Sequence, residues 1–181
     1  MPRTRGSLRI ARLAGAMALL CVATRFQVAT AFAQTAAMLD DRVTQRSVAD
    51  TICKPGYADT VAPPLSEMMS HKNQLLAQRG IDPDEGTRYA LDRRVPIVLG
   101  GSPDAPGNLD LLPWAGHAGE RRKELLAVKL KRCVCVGRMS LADAQATIAG
   151  DWPAHYANLG RLPCEDDRTG TTSSTDDAAS H

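Results

Sequence analysis

The chain has 181 residues, 44% of them hydrophobic and 23% charged, which fits an ordinary globular domain and excludes collagenous, coiled-coil and wholly disordered chains. Its length supports one domain with a real core and falls short of two full ones. Aromatic side chains make up only 4%, and both phenylalanines, Phe26 and Phe32, lie near the N-terminus, which argues against an aromatic platform for stacking single-stranded bases.

Arg3, Arg5, Arg9 and Arg12 precede an apolar run from Leu13 to Ala23, and Ala31-Phe32-Ala33 has the small-x-small form of a signal-peptidase site. These cues predict a signal peptide over residues 1–33. The apolar run is shorter than the roughly 20 residues of a membrane span, and Arg25 interrupts its continuation. Cys21 lacks the small residue expected before a lipidated cysteine. The expectation is a periplasmic or secreted protein with no stable membrane anchor after cleavage. Removing the segment lowers the basic count from 22 to 17 against 20 acidic side chains, a net charge of −3.

Four cysteines remain, Cys53, Cys133, Cys135 and Cys164, and in an oxidising compartment disulfides are the first expectation. Three pairings are possible. A bond between Cys133 and Cys135, one residue apart, would be strained, so each is expected to reach a distant partner. Cys-x-Cys without a nearby Cys-x-x-Cys or His pair is a weak zinc signal.

Residues 34–51 are polar and read as a flexible or partly helical lead-in, with the folded domain expected over 52–164. From Pro64 to Gly80, Leu65, Met68, Met69, Lys72 through its stem, and Leu76 fall at three- and four-residue steps, the spacing of a helix with Met68 and Met69 as core filler. Pro63-Pro64 sets its start and Gly80 its C-terminal cap. Val95 to Leu99 is β-branched and apolar and predicts a strand, edge or bulged at Pro96. GSPDAPGN then reverses the chain before Leu109, giving a short β-hairpin with a broad loop.

ERRKELLAVKLKR, Glu120 to Arg132, predicts a basic helix with Leu125, Leu126, Val128 and Leu130 as its apolar face. Ser140 and Asp143 form a capping-box-like start for a further helix through Leu141, Ala144, Ile148 and Trp152, stopped at Pro153. Residues 165–181 contain no large apolar side chain, so they are expected to be a disordered tail. The fold class is α+β.

Several blocks, in order, resemble small exported bacterial proteins of the HNH (His-Asn-His) nuclease type. Cys53-Lys54-Pro55-Gly56-Tyr57 matches a Cys-x-Pro-Gly-Tyr segment, and Pro63-Pro64 a Pro-Pro helix start. Tyr89 to Gly101 matches Tyr-Glu-x-Asp-His-Leu-Ile-Pro-Leu-Glu-Leu-Gly-Gly, and Asn108 to Trp114 matches Asn-Leu-Trp-Pro-x-Pro-Trp. Lys123-Glu124 stands at a Lys-Asp pair, and Val134 to Trp152 follows a block ending Asp-Trp. The resemblance runs from about Cys53 to Trp152.

It implies a ββα-metal-like site, in which a hairpin and helix hold a divalent cation and a histidine activates water. Asp92 and Asn108 occupy catalytic positions, but the histidine position is Arg93, whose guanidinium has no lone pair with which to accept a proton. The family's glutamate is Val98 and its tryptophan is Asp110, the latter implying altered packing. His117, spaced as a possible shared ligand with Glu120, is the candidate substitute if the protein is active. The implied function is therefore a catalytically degenerate HNH-nuclease-like protein that needs no cofactor. The alternatives are an active divergent endonuclease using a divalent metal, Mg or Zn, and a cell-envelope interaction protein with no nucleic-acid role.

Residues 119–138 carry seven basic and two acidic side chains. Arg121, Arg122, Lys123 and Lys129, with Arg93 and Arg94, are the candidate contacts to DNA or RNA phosphates; a solvated helix face is the plainer reading. The resemblance also implies a Cys53–Cys135 bond, leaving Cys133 for Cys164. Metal identity and oligomeric state are open at this point.

Overall fold

The computed structural model describes residues 38–162 and Cys164. The expected signal peptide and tail lie outside the described residues. The fold is α+β, a two-stranded antiparallel sheet with five α-helices and short 3₁₀ turns among the described residues.

Residues 38–51, expected as a flexible or partly helical lead-in, instead form consecutive turns packed on the domain. Leu39 bridges Gly101, Val43 is buried in the core, and the Asp40 amide donates to the Gly100 carbonyl. Apolar side chains at Leu39 and Val43 supply the contact that a polar-looking segment conceals.

After a short helix α1 (Tyr57–Val61) comes α2 (Leu65–Gln78). It ends as its sequence predicts: Gly80 takes φ +63°, and the Gly80 and Ile81 amides donate to the Ala77 and Leu76 carbonyls, a Schellman closure that satisfies the last turn. Its burial departs from expectation, because Leu76 is buried whereas Leu65 and Met69 are exposed and Met68 only half-buried. The helix packs on both strands of the hairpin over 89–113, and Leu76 alone of its side chains is buried.

The hairpin strands are β1 (Tyr89–Arg93) and β2 (Leu109–Pro113), in a register that sets Leu91 opposite Leu111 and Asp92 opposite Asp110. The predicted strand at Val95–Leu99 is instead a buried turn, with a 3₁₀ segment at Ile97–Leu99. Pro96 has no amide to give a ladder, and its carbonyl accepts from Leu99 and Gly101. Gly101 is obligatory there: a Cβ would sit 1.7 Å from the Val95 carbonyl oxygen.

Helix α3 (Glu120–Cys135) is the central element, packed against the Ile97–Leu99 turn, α4 (Leu141–Ala149) and α5 (Trp152–Tyr156). Its buried stripe is Lys123, Leu126, Ala127, Leu130, Cys133 and Val134; Leu125 and Val128, expected in the apolar face, are exposed. Ser140 caps α4 by accepting from the Asp143 amide at 3.1 Å. Helix α4 ends at Ala149 with Gly150 as its cap, about one turn earlier than predicted, and Pro153 lies in the first turn of α5, where its missing amide costs nothing.

Two disulfides close the domain, Cys53–Cys135 with Cα atoms 5.5 Å apart and Cys133–Cys164 at 4.4 Å. The first ties the segment before α1 to the last turn of α3, and the second ties Cys164 to the same turn. The double substitution Cys53→Ala with Cys135→Ala should lower unfolding free energy by about 2 to 5 kcal/mol, read from urea denaturation; an unchanged midpoint would show that the bond adds nothing to the packed core.

Candidate functional site

The site forms where β1, the turn after it and the first turns of α3 meet. Asp92 is the fourth residue of β1 and faces inward; Lys123 is one turn into α3 on its buried stripe. Both are 3% exposed. The Lys123 Nζ lies 2.8 Å from Asp92 Oδ1, 2.6 Å from Oδ2 and 2.8 Å from the Arg93 carbonyl oxygen. An ammonium has three protons and no acceptor, so these partners match its full donor complement. Lys123 is thus unavailable to a phosphate, contrary to its place among the candidate nucleic-acid contacts.

Asp92 faces Asp110 across the strand pair, an arrangement of like charges that would destabilise the ribbon if bare. Each carboxylate has its own cation. Asp110 is bound by Arg79 from the end of α2 and lies 3.6 Å from Arg94. Burial pushes the Asp110 carboxyl up, but the Arg79 hydrogen bond, the Leu111 amide and both guanidinium charges outweigh it and hold it below the usual range. Arg79 and Arg94 therefore account for a carboxylate where the resembling family has tryptophan.

Asn108 is fully buried and spends its amide on backbone. Its Oδ1 accepts from the Val95 amide at 2.8 Å, and its Nδ2 donates to the Val95 and Ser102 carbonyls at 2.9 and 2.8 Å. It staples the two ends of the loop between β1 and β2. The amide is fully used in that loop, so the catalytic position implied for Asn108 is filled by a structural residue here.

Arg93 is half-buried, with Nε donating to the Pro103 carbonyl at 2.7 Å and Nη2 3.8 Å from the Met68 sulfur. Burial lowers its pKa, opposed by the charges of Asp92, Asp104 and Glu120. Next to it opens a cleft of about 210 Å³, lined by Asp92, Arg93, Glu120 and Glu124 and by apolar groups including Ile97, Val98 and Val128.

Glu120 is the residue that sequence reasoning undervalued, naming it only as a partner for His117. Its Oε2 is buried without a hydrogen-bond partner. Burial first, then the charge of Asp92 and a hydrogen bond to it, push its carboxyl up to about 8; Glu124 adds to the shift and Lys123 opposes it. The signal was available: Glu120 and Lys123 are three residues apart and share a helical face. Glu120 thus holds its proton more tightly than an ordinary carboxyl, at the edge of the cleft.

The donors around Asp92 do not suit a divalent cation. Both Asp92 oxygens are taken by an ammonium, Arg93 stands beside them, and no group of three His, Cys, Asp or Glu side chains among the described residues is placed to hold a metal. His117 is exposed in the loop before α3 and joins no such group. Of the remaining basic candidates, Arg94 is exposed beside Asp110, Arg121 is exposed, Arg122 lies over the Tyr156 ring at 5.4 Å, and Lys129 is partly exposed. The structure thus divides the predicted site residues into a buried, paired set and a solvent-facing basic set on α3. No family model matches the chain, nor does any curated protein or solved structure.

Replacing Lys123 by Met should cost about 3 to 5 kcal/mol by stranding a buried carboxylate, and pairing it with Asp92→Leu should restore most of that loss; additive losses in urea denaturation would refute the mutual dependence. Glu120 binds its proton more tightly in the folded state than at the ordinary value of 4.5. Between that value and about 8 the folded state holds more protons than the unfolded one, so stability present at acid pH declines as pH rises through this window. Glu120→Gln should flatten the decline, which urea midpoints across the same pH range will show.

Proposed function

We propose that the protein is an exported, HNH-nuclease-like scaffold that no longer cleaves phosphodiesters and that uses the outer face of α3 to bind a nucleic-acid backbone. The strand–loop–strand–helix order of β1, β2 and α3 supports a ββα-metal-like ancestry. Two disulfides, and the lack among the described residues of a helix long and apolar enough to cross a membrane, are compatible with the expected periplasmic or secreted location.

One observation carries the loss of cleavage: the Lys123 ammonium occupies both oxygens of Asp92, the carboxylate on which the implied chemistry depends. A second cation there would be repelled by Lys123 and Arg93 at low dielectric. Arg93 cannot take a proton from water, and Asn108 is committed to the loop.

Backbone binding is supported by the solvent-facing Arg121, Arg122 and Lys129, which follow one another along a helix and could span successive phosphates. Exposed Leu125 and Val128, at 55% and 56%, favour a second reading, a protein contact in the cell envelope with no nucleic-acid role.

The disulfide-bonded chain lacking residues 1–33 should leave supercoiled plasmid intact with Mg²⁺, Mn²⁺ or Zn²⁺; nicking that co-elutes with the protein through successive chromatographic steps would overturn the reading. It should retard a DNA duplex with an affinity that falls with salt, and Arg121→Ala or Lys129→Ala should each reduce the salt slope by about 1. Absence of salt-sensitive retardation would favour the envelope reading.

A further inference from the structure

The cleft beside Arg93 takes no part in the proposed backbone binding, since none of Arg121, Arg122 and Lys129 lines it. Its walls are largely apolar. Pro96, Ile97 and Val98 come from the turn after β1, and Ala127 and Val128 from α3. Ala127 is buried and Val128 exposed, so the cleft runs from the core to open solvent. Val98 stands where the resembling family carries glutamate, and that difference makes the wall apolar there.

The charges around the cleft sum to zero when Glu120 keeps its proton. Lys123 neutralises Asp92, Arg93 and Glu124 contribute one charge of each sign, and burial, reinforced by the charge of Asp92, pushes Glu120 toward its uncharged form. An incoming ion would shed its hydration there without meeting an unmatched opposite charge, a costly exchange. A neutral molecule meets no such penalty.

One polar atom is left over. Glu120 Oε2 is the only buried side-chain nitrogen or oxygen among the described residues without a hydrogen-bond partner, while the carboxyl's other oxygen serves the hydrogen bond to Asp92. A carboxyl that gives its proton to a carboxylate keeps a carbonyl-type oxygen, which accepts from an N–H or O–H. The terminal torsion of a glutamate side chain is soft, so a small turn presents that oxygen to the cleft.

Size narrows the occupant. The cleft holds about 210 Å³, below the roughly 300 to 1,000 Å³ of pockets for drug-sized ligands, whereas a cavity of about 150 Å³ is enough for benzene. We propose that the cleft binds a small uncharged ring compound carrying a single N–H or O–H donor, with its ring against Ile97, Val98 and Val128 and its donor on Glu120 Oε2. Phenols and indoles have this chemistry; nucleotides and metal ions do not. The site is separate from the outer face of α3 and does not depend on the nucleic-acid reading.

Indole and benzofuran test the proposal, because the two rings have nearly the same shape and only indole has an N–H. Titrated into the disulfide-bonded, nitrogen-15-labelled chain lacking residues 1–33, indole should shift the amide resonances of Ile97, Val98, Glu120 and Val128 to saturation. Benzofuran should shift the same amides with an affinity about tenfold weaker, the effect of losing one hydrogen bond to a buried acceptor. Glu120→Met keeps the length of the side chain without its acceptor and should bring the two affinities together by weakening indole.

The comparison in the parent needs no substitution, so it decides the matter even where Glu120→Met fails to fold. Shifts confined to other residues, no saturable shift with either ring, or equal affinities for both rings in the parent overturn the proposal. A preference for indole that survives in folded Glu120→Met also overturns it. Duplex retardation is read separately, so this proposal and the nucleic-acid reading can each fail without the other.

Discussion

Burying Asp92 and Lys123 together removes hydration from two full charges, and in a medium of low dielectric the penalty is offset only where geometry and hydrogen bonding are both good. Here the ammonium meets three acceptors, the two carboxylate oxygens and the Arg93 carbonyl, all within 2.8 Å. The pair joins the loop end of β1 to the first turns of α3, the longest helix among the described residues. Either charge alone would be stranded, so strand and helix can approach only in the register that brings the two together. Its contribution lies in fixing one arrangement of β1 against α3, while net stability comes from the apolar stripe of Leu126, Leu130 and Val134.

That constraint propagates to neighbouring groups. Glu120 lies beside the same pair, and burial, reinforced by the charge of Asp92, pushes its carboxyl up although Lys123 opposes the shift. Across the ribbon, Asp110 has recruited Arg79 and Arg94, and the two opposed aspartates are each neutralised from their own side of the hairpin. Asn108 meanwhile holds the loop by bonding to Val95 and Ser102, and Gly101 gives the backbone room to pass close to Val95. The polar residues that read as a reaction centre are consumed in positioning one another, with Glu120 alone left holding an unpartnered oxygen.

How much of this was legible depended on the range of the interaction. The bounds of α2, its cap at Gly80 and the Ser140 cap of α4 are local matters, decided by the chain within a few residues, and the sequence reading located them. Both disulfide pairings were implied through family resemblance, since spacing alone leaves three choices. The turn at Val95–Leu99 misleads because β-branched residues favour strands only where a ladder partner exists, and Pro96 together with the Gly101 approach prevents one. Lys123 misleads differently: within a run of cations it looks like surface charge, yet it falls three residues before Leu126 and seven before Leu130, on the stripe that faces the core. Its partner is 31 residues away, beyond any local pattern.

Helix α3 therefore carries two kinds of positive charge with different physical behaviour. The inner one is shielded from ions by the protein and saturated by fixed partners, so added salt barely reaches it; the outer ones face solvent, where screening acts within a Debye length of about 8 Å at physiological ionic strength. A single helix can then keep its fold-determining contact constant while its surface attraction varies with ionic conditions. The division follows from helical periodicity, because a step of two residues, from Arg121 to Lys123, rotates a side chain from water to core. The charges of the outer face are set independently of the inner pair, so an outer substitution leaves the Asp92 contact intact.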